Sequence, residues 1–242
     1  MTDNEFILTL DVDWAPDSVI RHVASVLQER GVKATWFISH DSTAVRELLR
    51  WPDFEAGLHP NYLPGSSQGS STHEVLETLL RIVPDAVSVR SHAIVQSGPL
   101  LNHYVEHTSL KIDSTIFLPE MPNIQPVRHL SLGGSLLRVP FFWADDYEMC
   151  KHPPQWNMEQ YIEVPGLKVM MFHPIHVALN SPDFAFYQGF KERCPNVTQL
   201  SETEINSQLC RNGKGAGDFF RSLVGYLSKR KSRVLCDLRI YG

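Results

Sequence analysis

Phe6-Ile-Leu-Thr-Leu-Asp-Val-Asp-Trp14 decides the fold. Its first half is an almost unbroken apolar run, as expected of a strand covered on both faces, and it ends on two carboxylates. Asp17-Ser18 then reads as a helix N-cap, and a helix over about 19–30 puts Ile20, Val23, Ala24 and Leu27 on one stripe before Gly31 ends it. A second strand, Val32 to Ile38, is rich in β-branched and aromatic residues. The alternation continues with helix about 43–50, strand about 54–58, helix about 72–83, strand about 87–91, helix about 98–108 and strand about 110–116. Apolar segments at about 135–142 and 167–172 predict further strands, followed by a helix over 218–228, a basic turn Lys229-Arg-Lys231 and a last strand from Ser232 to Tyr241. Such alternation predicts an α/β fold, a barrel of seven or eight βα units whose functional residues gather at the C-terminal ends of the strands. The polar stretches Leu63 to Ser71 and about 180–217 are long enough to be lids or substrate loops.

The 242 residues suit a single domain spanning 1–242, and 43% apolar content is enough for a large core. With 22 basic and 27 acidic residues the net charge is −5, which lacks the basic footprint of a nucleic-acid binder. The N-terminus carries acid where a secretory signal needs Lys or Arg, and no apolar run is long enough to insert in a membrane. Cys150, Cys194, Cys210 and Cys236 are far apart and form no C-x-x-C pair, so neither a disulfide framework nor a cysteine zinc site is expected. These features predict a cytoplasmic protein with reduced thiols. The basic turn reads as a solvated surface, and no heptad pattern sets an oligomeric state.

Chemistry concentrates at the strand ends. Asp11 and Asp13, one residue apart on a strand, point to the same side, and two such carboxylates call for a cation or a raised pKa. His59 closes the third strand and Arg90-Ser-His92 the fourth, offering the imidazole and carboxylate ligands that zinc and similar ions take. His173 and His176 follow another buried strand, where one histidine suits a general acid and the other shapes the pocket. Asp113 and Asp146 add polar groups at the same rim, and Trp14, Trp143 and Tyr62 lie where they could stack on a sugar ring, although an aromatic beside a strand end is more often core than platform.

The ordered series Leu8-Thr-Leu-Asp-Val-Asp-Trp14, Gly31-Val-Lys-Ala-Thr-Trp-Phe37, Gly57-Leu-His59, Arg90, Ile112-Asp-Ser114 and Met171-Phe-His173 resembles the motifs of the polysaccharide deacetylases. These are metal-dependent carbohydrate esterases with a distorted (β/α) barrel, and the likeness runs from Phe6 to about residue 180. The His-Pro-Asn and Arg-Ser-His variants look like a subgroup associated with lipopolysaccharide or capsule biosynthesis. The resemblance implies that Asp13 and His59 bind a divalent metal, zinc before cobalt, iron or manganese, and that Asp11 is the general base, Arg90 its partner and His173 the general acid. It implies an acylated amino sugar or sugar precursor as substrate, with Trp14, Asn61, Asp113 and Asp146 expected to touch it. The family's second metal histidine falls on Leu63, which cannot ligate. His92 and Asn61 are the candidate replacements, and His92 has the better ligand type for zinc.

Two other readings stand beside this one. Loss of the metal through Leu63 would leave a barrel that binds carbohydrate or a partner without turnover. Asp11-x-Asp13 with Asp145-Asp146 also suits a haloacid-dehalogenase-type phosphatase, although Ala15 stands where that family has Thr or Val and the histidines would be idle.

Overall fold

The computed structural model describes residues 4–241, so the acidic N-terminus read above lies partly, at 1–3, outside the described residues. Nine strands form one sheet: β1 (Asn4–Asp11), β2 (Ala34–Ile38), β3 (Phe54–Leu58), β4 (Ser88–Val89), β5 (Ile112–Asp113), β6 (Val127–Ser131), β7 (Gly134–Arg138), β8 (Trp143–Ala144) and β9 (Gly166–Phe172). Their order is β6-β7-β5-β4-β3-β2-β1-β9-β8, parallel throughout except for the β6–β7 hairpin. β1 is an interior strand, its apolar run buried on both faces: Asn4 to Leu10 pairs with Gly166 to Phe172, and Thr9 to Asp11 pairs with Thr35 to Phe37.

The segment joining β7 to β8 curls the sheet into a distorted barrel. Val139 N donates to Asp113 O at 2.7 Å and Phe141 N to Ile116 O at 2.8 Å, after which Phe142 N reaches Val169 O of β9 at 2.8 Å. One bent stave therefore leaves β5 and arrives at β9. Around it pack α1 (Asp17–Glu29), α2 (Thr43–Leu48), α3 (Thr72–Ile82), α4 (Gly98–His107), α5 (Asp145–Met149), α6 (Glu159–Ile162), α7 (Pro174–Leu179), α8 (Phe184–Arg193), α9 (Glu202–Ser207) and α10 (Ala216–Leu227). Ser42, Ser71 and Ser97 cap α2, α3 and α4 through side-chain oxygens, each worth about 1 kcal/mol. In α1, Asp17 is not the cap but an acid in the first turn, where it complements the helix dipole.

The strand expected over 232–241 is a 3-10 helix, Leu235–Tyr241. Alternation misled because Leu235 and Leu238, three apart, share one buried face and close the barrel's interior beside Ile7, Phe37, Ile112 and Val169. The first turn of this plug donates its backbone to the barrel wall, Leu235 N to Thr35 Oγ1 at 3.0 Å and Cys236 N to Glu55 Oε2 at 2.9 Å. The strand β6 was not expected; it is an edge whose outward residues Val127 and Leu130 are exposed, so no apolar alternation marks it. The stretch 180–217, expected as a loop, contains α8 and α9. The other expected loop folds inward: Gln68 is buried, donating Nε2 to Ser39 O at 2.7 Å and His59 O at 3.0 Å while accepting from Asn61 N.

Burial pushes the Glu55 carboxyl above its usual value, and hydrogen bonds from Cys236 N and Thr35 Oγ1 to its Oε2 offset this only in part. The folded chain then keeps a proton that the unfolded chain releases above about pH 4.3, so stability falls as pH rises from there through the folded value. Glu55→Gln keeps an acceptor for Thr35 and Cys236 without the ionisation. It is expected to raise Tm by about 2–4 °C at pH 8, the equivalent of roughly 1 kcal/mol, and to change little at pH 4, as read by thermal melts.

Candidate active site

The site is built where strands give way to loops. β1 stops at Asp11, and the chain turns back with Ala15 N donating to Val12 O at 2.9 Å and with Asp13 and Trp14 in the left-handed region, at φ 44° and 55°. A left-handed turn, rather than the pleat, therefore carries Asp13 to the side of Asp11. Such backbone costs of order 1–3 kcal/mol per residue, less for Asp than for Trp, and Ser39 Oγ steadies it by accepting from Trp14 N at 3.0 Å.

His59 and His92 arrive from neighbouring strand ends, anchored by His59 N to Ile38 O and His92 N to Pro60 O, both at 2.9 Å. His59 Nε2 lies 2.9 Å and His92 Nδ1 3.1 Å from the same oxygen, Asp13 Oδ1. One ligand atom from each of the three residues lies within 4.8 Å of the others. His59 Nδ1 donates to Arg90 O at 2.7 Å, which fixes the ring with Nε2 toward the cluster, where it donates to Asp13 and is the nitrogen that would face a bound cation. Burial opposes charge on Asp13, but the hydrogen bonds to His59 and His92 and the nearby histidine charges outweigh it, holding the carboxyl well below the usual carboxylate range. Two imidazoles and one ionised carboxylate, with one ring fixed from behind, fit a divalent cation of the zinc type. Asn61 is committed elsewhere, its Oδ1 accepting from Leu63 N at 3.0 Å.

Arg90, 1% exposed, orients Asp11. Its guanidinium lies between the rings of Phe37 and Phe141 at 4.5 and 4.7 Å and donates Nη1 to Asp11 Oδ1 and Thr9 Oγ1, both at 2.8 Å. Nε and Nη2 are taken by Ser114 O and Oγ, each at 2.9 Å. Arg90→Met is expected to destabilise the fold by about 3–5 kcal/mol, measured by denaturant melts, because it leaves Asp11 buried and unpaired.

On the other side of Asp13, His173 Nε2 stands 3.4 Å from Oδ2. Behind it Asp145, fully buried, accepts His173 Nδ1 at 2.7 Å on Oδ1 and His173 N at 2.7 Å on Oδ2. Burial would drive the imidazole toward neutrality, but the carboxylates of Asp145, Asp13 and Asp146 prevail and hold its pKa well above the ordinary histidine value. Asp145 is correspondingly kept ionised by His176 and His173 against its own burial. His176 Nδ1 lies 3.2 Å from Asp145 Oδ1 in poor hydrogen-bond alignment, with its ring edge-on to Tyr187 at 4.4 Å. It packs behind His173 and does not line the cleft.

The cleft, about 470 Å³, is lined by Asp11, Asp13, His59, Arg90, His92 and His173, with Asp146 at its rim and Phe117, Phe141, Met171 and Phe184 as an apolar wall. Three residues expected at the substrate do not line it. Trp14 packs edge-on against His92 at 5.4 Å, Asn61 serves its own turn, and Asp113 is fully buried between Arg138 Nε at 2.8 Å and Thr115 Oγ1 at 2.5 Å. Sequence reading passed over Asp145 in favour of Asp146; the two adjacent acids carry no distinguishing local pattern, because Asp145 begins α5 and the turn from β8 into that helix sets its direction. The phosphatase arrangement is not present, since Asp145 groups with His173 and His176 and not with Asp11 and Asp13.

The family described as WbmS-like polysaccharide deacetylase matches residues 8–191. No curated protein matches the chain. Among solved structures, the chain is similar to the WbmS protein of Bordetella bronchiseptica, assigned to polysaccharide deacetylation in O-antigen biosynthesis, with 30% identity and a TM-score of 0.81 over 92% of this chain and 90% of that one. A mutant of the peptidoglycan deacetylase PdaC of Bacillus subtilis is 9% identical with a TM-score of 0.50, covering 99% and 91% of the two chains, a likeness of fold alone. A CE4 family pseudoenzyme of Bacillus anthracis is 13% identical with a TM-score of 0.48, covering 98% and 66%. Since the family match spans most of the sequence and takes in every residue of the cleft, the chain belongs to the WbmS-like polysaccharide deacetylases.

Proposed function

We propose that the protein is a metal-dependent hydrolase that removes an N-acetyl or similar acyl group from an amino sugar during cell-surface polysaccharide biosynthesis. The observation that carries this reading is the convergence of Asp13, His59 and His92 between a buried Asp11–Arg90 pair and an Asp145–His173 pair. Its place in O-antigen or related biosynthesis rests on the assignment of the Bordetella relative. The four free cysteines suit a reducing compartment such as the cytoplasm.

Asp13, His59 and His92 would hold the cation, which when bound supplies Lewis acidity toward the amide carbonyl and lowers the pKa of water toward about 7. Asp11 has one oxygen fixed by Arg90, so its second oxygen is oriented to take the proton of the attacking water. His173, charged and locked by Asp145 through Nδ1, presents its Nε2 proton to the amide nitrogen as the C–N bond breaks. The products are a carboxylic acid and a free amino sugar. Each proton transfer contributes roughly 10²–10⁴-fold. Phe117, Phe141 and Met171 exclude water from the acyl side.

The test is acetate release from a panel of N-acetylated amino sugars, free, nucleotide-linked and polymeric, by protein stripped with chelator and reloaded with zinc or cobalt. Release that depends on the added metal supports the reading. Protein that takes up no metal and releases no acyl group would overturn it and leave the other reading, a barrel that binds carbohydrate or a partner without turnover, as the one to test.

A further inference from the structure

At the opposite, N-terminal end of the barrel lies a second concavity, a groove of about 1240 Å³. Its walls come from separate parts of the chain: the start of β1, Lys33 just before β2, the turn after α10, and the 3-10 plug. The turn that reads in sequence as a plain solvated loop is therefore one wall of a shaped site. Lys33, Arg230, Lys231, Arg233 and Arg239 line the groove against two carboxylates, Glu5 and Asp237, in a chain whose net charge is −5.

Both carboxylates are engaged. Glu5 pairs with Arg233 at 2.9 Å, and Asp237 Oδ2 accepts from Val234 N at 3.1 Å, capping the plug. Among the described residues four cations remain in the groove against the single charge of Asp237. Lys33 makes one loose ion pair with Asp53 at 3.7 Å, and Lys231 has no ionic partner among the described residues. Arg230 is laid on the ring of Tyr226 at 3.6 Å and tied by Nη1 to Tyr226 O at 3.1 Å, and Arg239 is tied by Nε to Cys236 O at 3.0 Å. Both guanidinium groups are thus held in place, with nitrogens left over for an anion. Bringing like charges together in a concave surface is unfavourable unless a counter-charge sits among them, and planar guanidinium and ammonium donors together match phosphate oxygens.

We propose that this groove binds a phosphate-bearing anion, held by Lys33, Arg230, Lys231 and Arg239. The ligand is distinct from the atoms undergoing hydrolysis, because catalysis occupies the C-terminal ends of the same strands. Two sources carry the required chemistry: a soluble diphosphate group, and the headgroups of an anionic lipid leaflet.

The experiment uses the full chain with inorganic pyrophosphate in calorimetric titration, and with vesicles of phosphatidylglycerol in phosphatidylcholine or of phosphatidylcholine alone in sedimentation. Wild-type protein is expected to bind at least one probe saturably, more weakly as salt rises from 50 to 300 mM, and Arg230→Glu/Lys231→Glu is expected to lose at least tenfold in affinity. Both side chains are exposed, and Arg230→Gln/Lys231→Gln, with melting curves for each variant, separates loss of binding from loss of fold. Pyrophosphate binding without vesicle retention assigns a soluble ligand, and retention on anionic vesicles alone assigns the lipid surface. Wild-type protein that binds neither pyrophosphate nor anionic vesicles, or folded variants that bind as wild type does, would overturn the proposal.

Discussion

Asp13→Asn is expected to leave the protein without a tightly held divalent cation and to lower hydrolysis by roughly 10²–10³-fold or more, the scale on which removing one group that stabilises a reacting oxygen acts. Asparagine is the informative replacement because it tolerates the left-handed backbone at φ 44° and keeps an acceptor for His59 and His92, while removing the charge that a cation requires. His92→Ala is expected to lose metal as well, whereas Asn61→Ala is expected to retain it, since the Asn61 carbonyl is already spoken for by Leu63 N. Elemental analysis of untagged protein beside rates of acyl release reads all three variants. Full metal content in His92→Ala with loss in Asn61→Ala would reverse the assignment of the third ligand.

Asp145→Asn should lower kcat by about 10³–10⁴-fold while leaving metal content unchanged, the scale seen when a buried aspartate that orients a catalytic histidine becomes an amide. Asp145 fixes His173 twice, by its ring and by its backbone N–H, and so decides which ring nitrogen faces the cleft. It also leads the groups that raise the proton affinity of His173 against burial. In the proposed mechanism His173 acts in its protonated form, so activity is expected to be lost as pH rises through its pKa, with that limb above the ordinary histidine value of about 6.5 in the wild-type protein. Without the carboxylate, burial is less opposed, and the alkaline limb of kcat/KM moves to lower pH. A pH profile of the residual activity checks this; an unmoved limb would show that His173 is not the proton donor.

The parts of this molecule that were legible in sequence are those where local pattern and tertiary role agree. β1, α1 and β2 carry apolar runs and stripes that match their burial, and the strand-end positions of Asp11, His59, Arg90 and His173 follow from that frame. Direction was harder to read than position. Asp113 and Asp146 look alike as acids after strands, yet one is sealed between Arg138 and Thr115 and the other stands at the cleft rim. Asp145 and Asp146 are adjacent, and only the start of α5 decides which of them turns inward to meet His173. The plug over 235–241 was misread because its two buried leucines answer to a cavity formed by strands far away in sequence, which no local window contains.

That plug bears on how the chain matures. Leu235 meets Thr35 across 200 residues of sequence, and at a synthesis rate of about 5–20 residues per second the partner emerges from the ribosome roughly 10–40 s after Thr35. Throughout that interval Glu55 lacks the Cys236 amide and Phe37 lacks the leucines that cover it, and for the earlier part of it β1 also waits for β9, its longest neighbour. Until the plug arrives the nascent barrel is open at its floor, and it closes through contacts of long sequence separation, the kind that form slowly. Its assembly on the ribosome is expected to depend on chaperone holding more than on the intrinsic stability of its early helices.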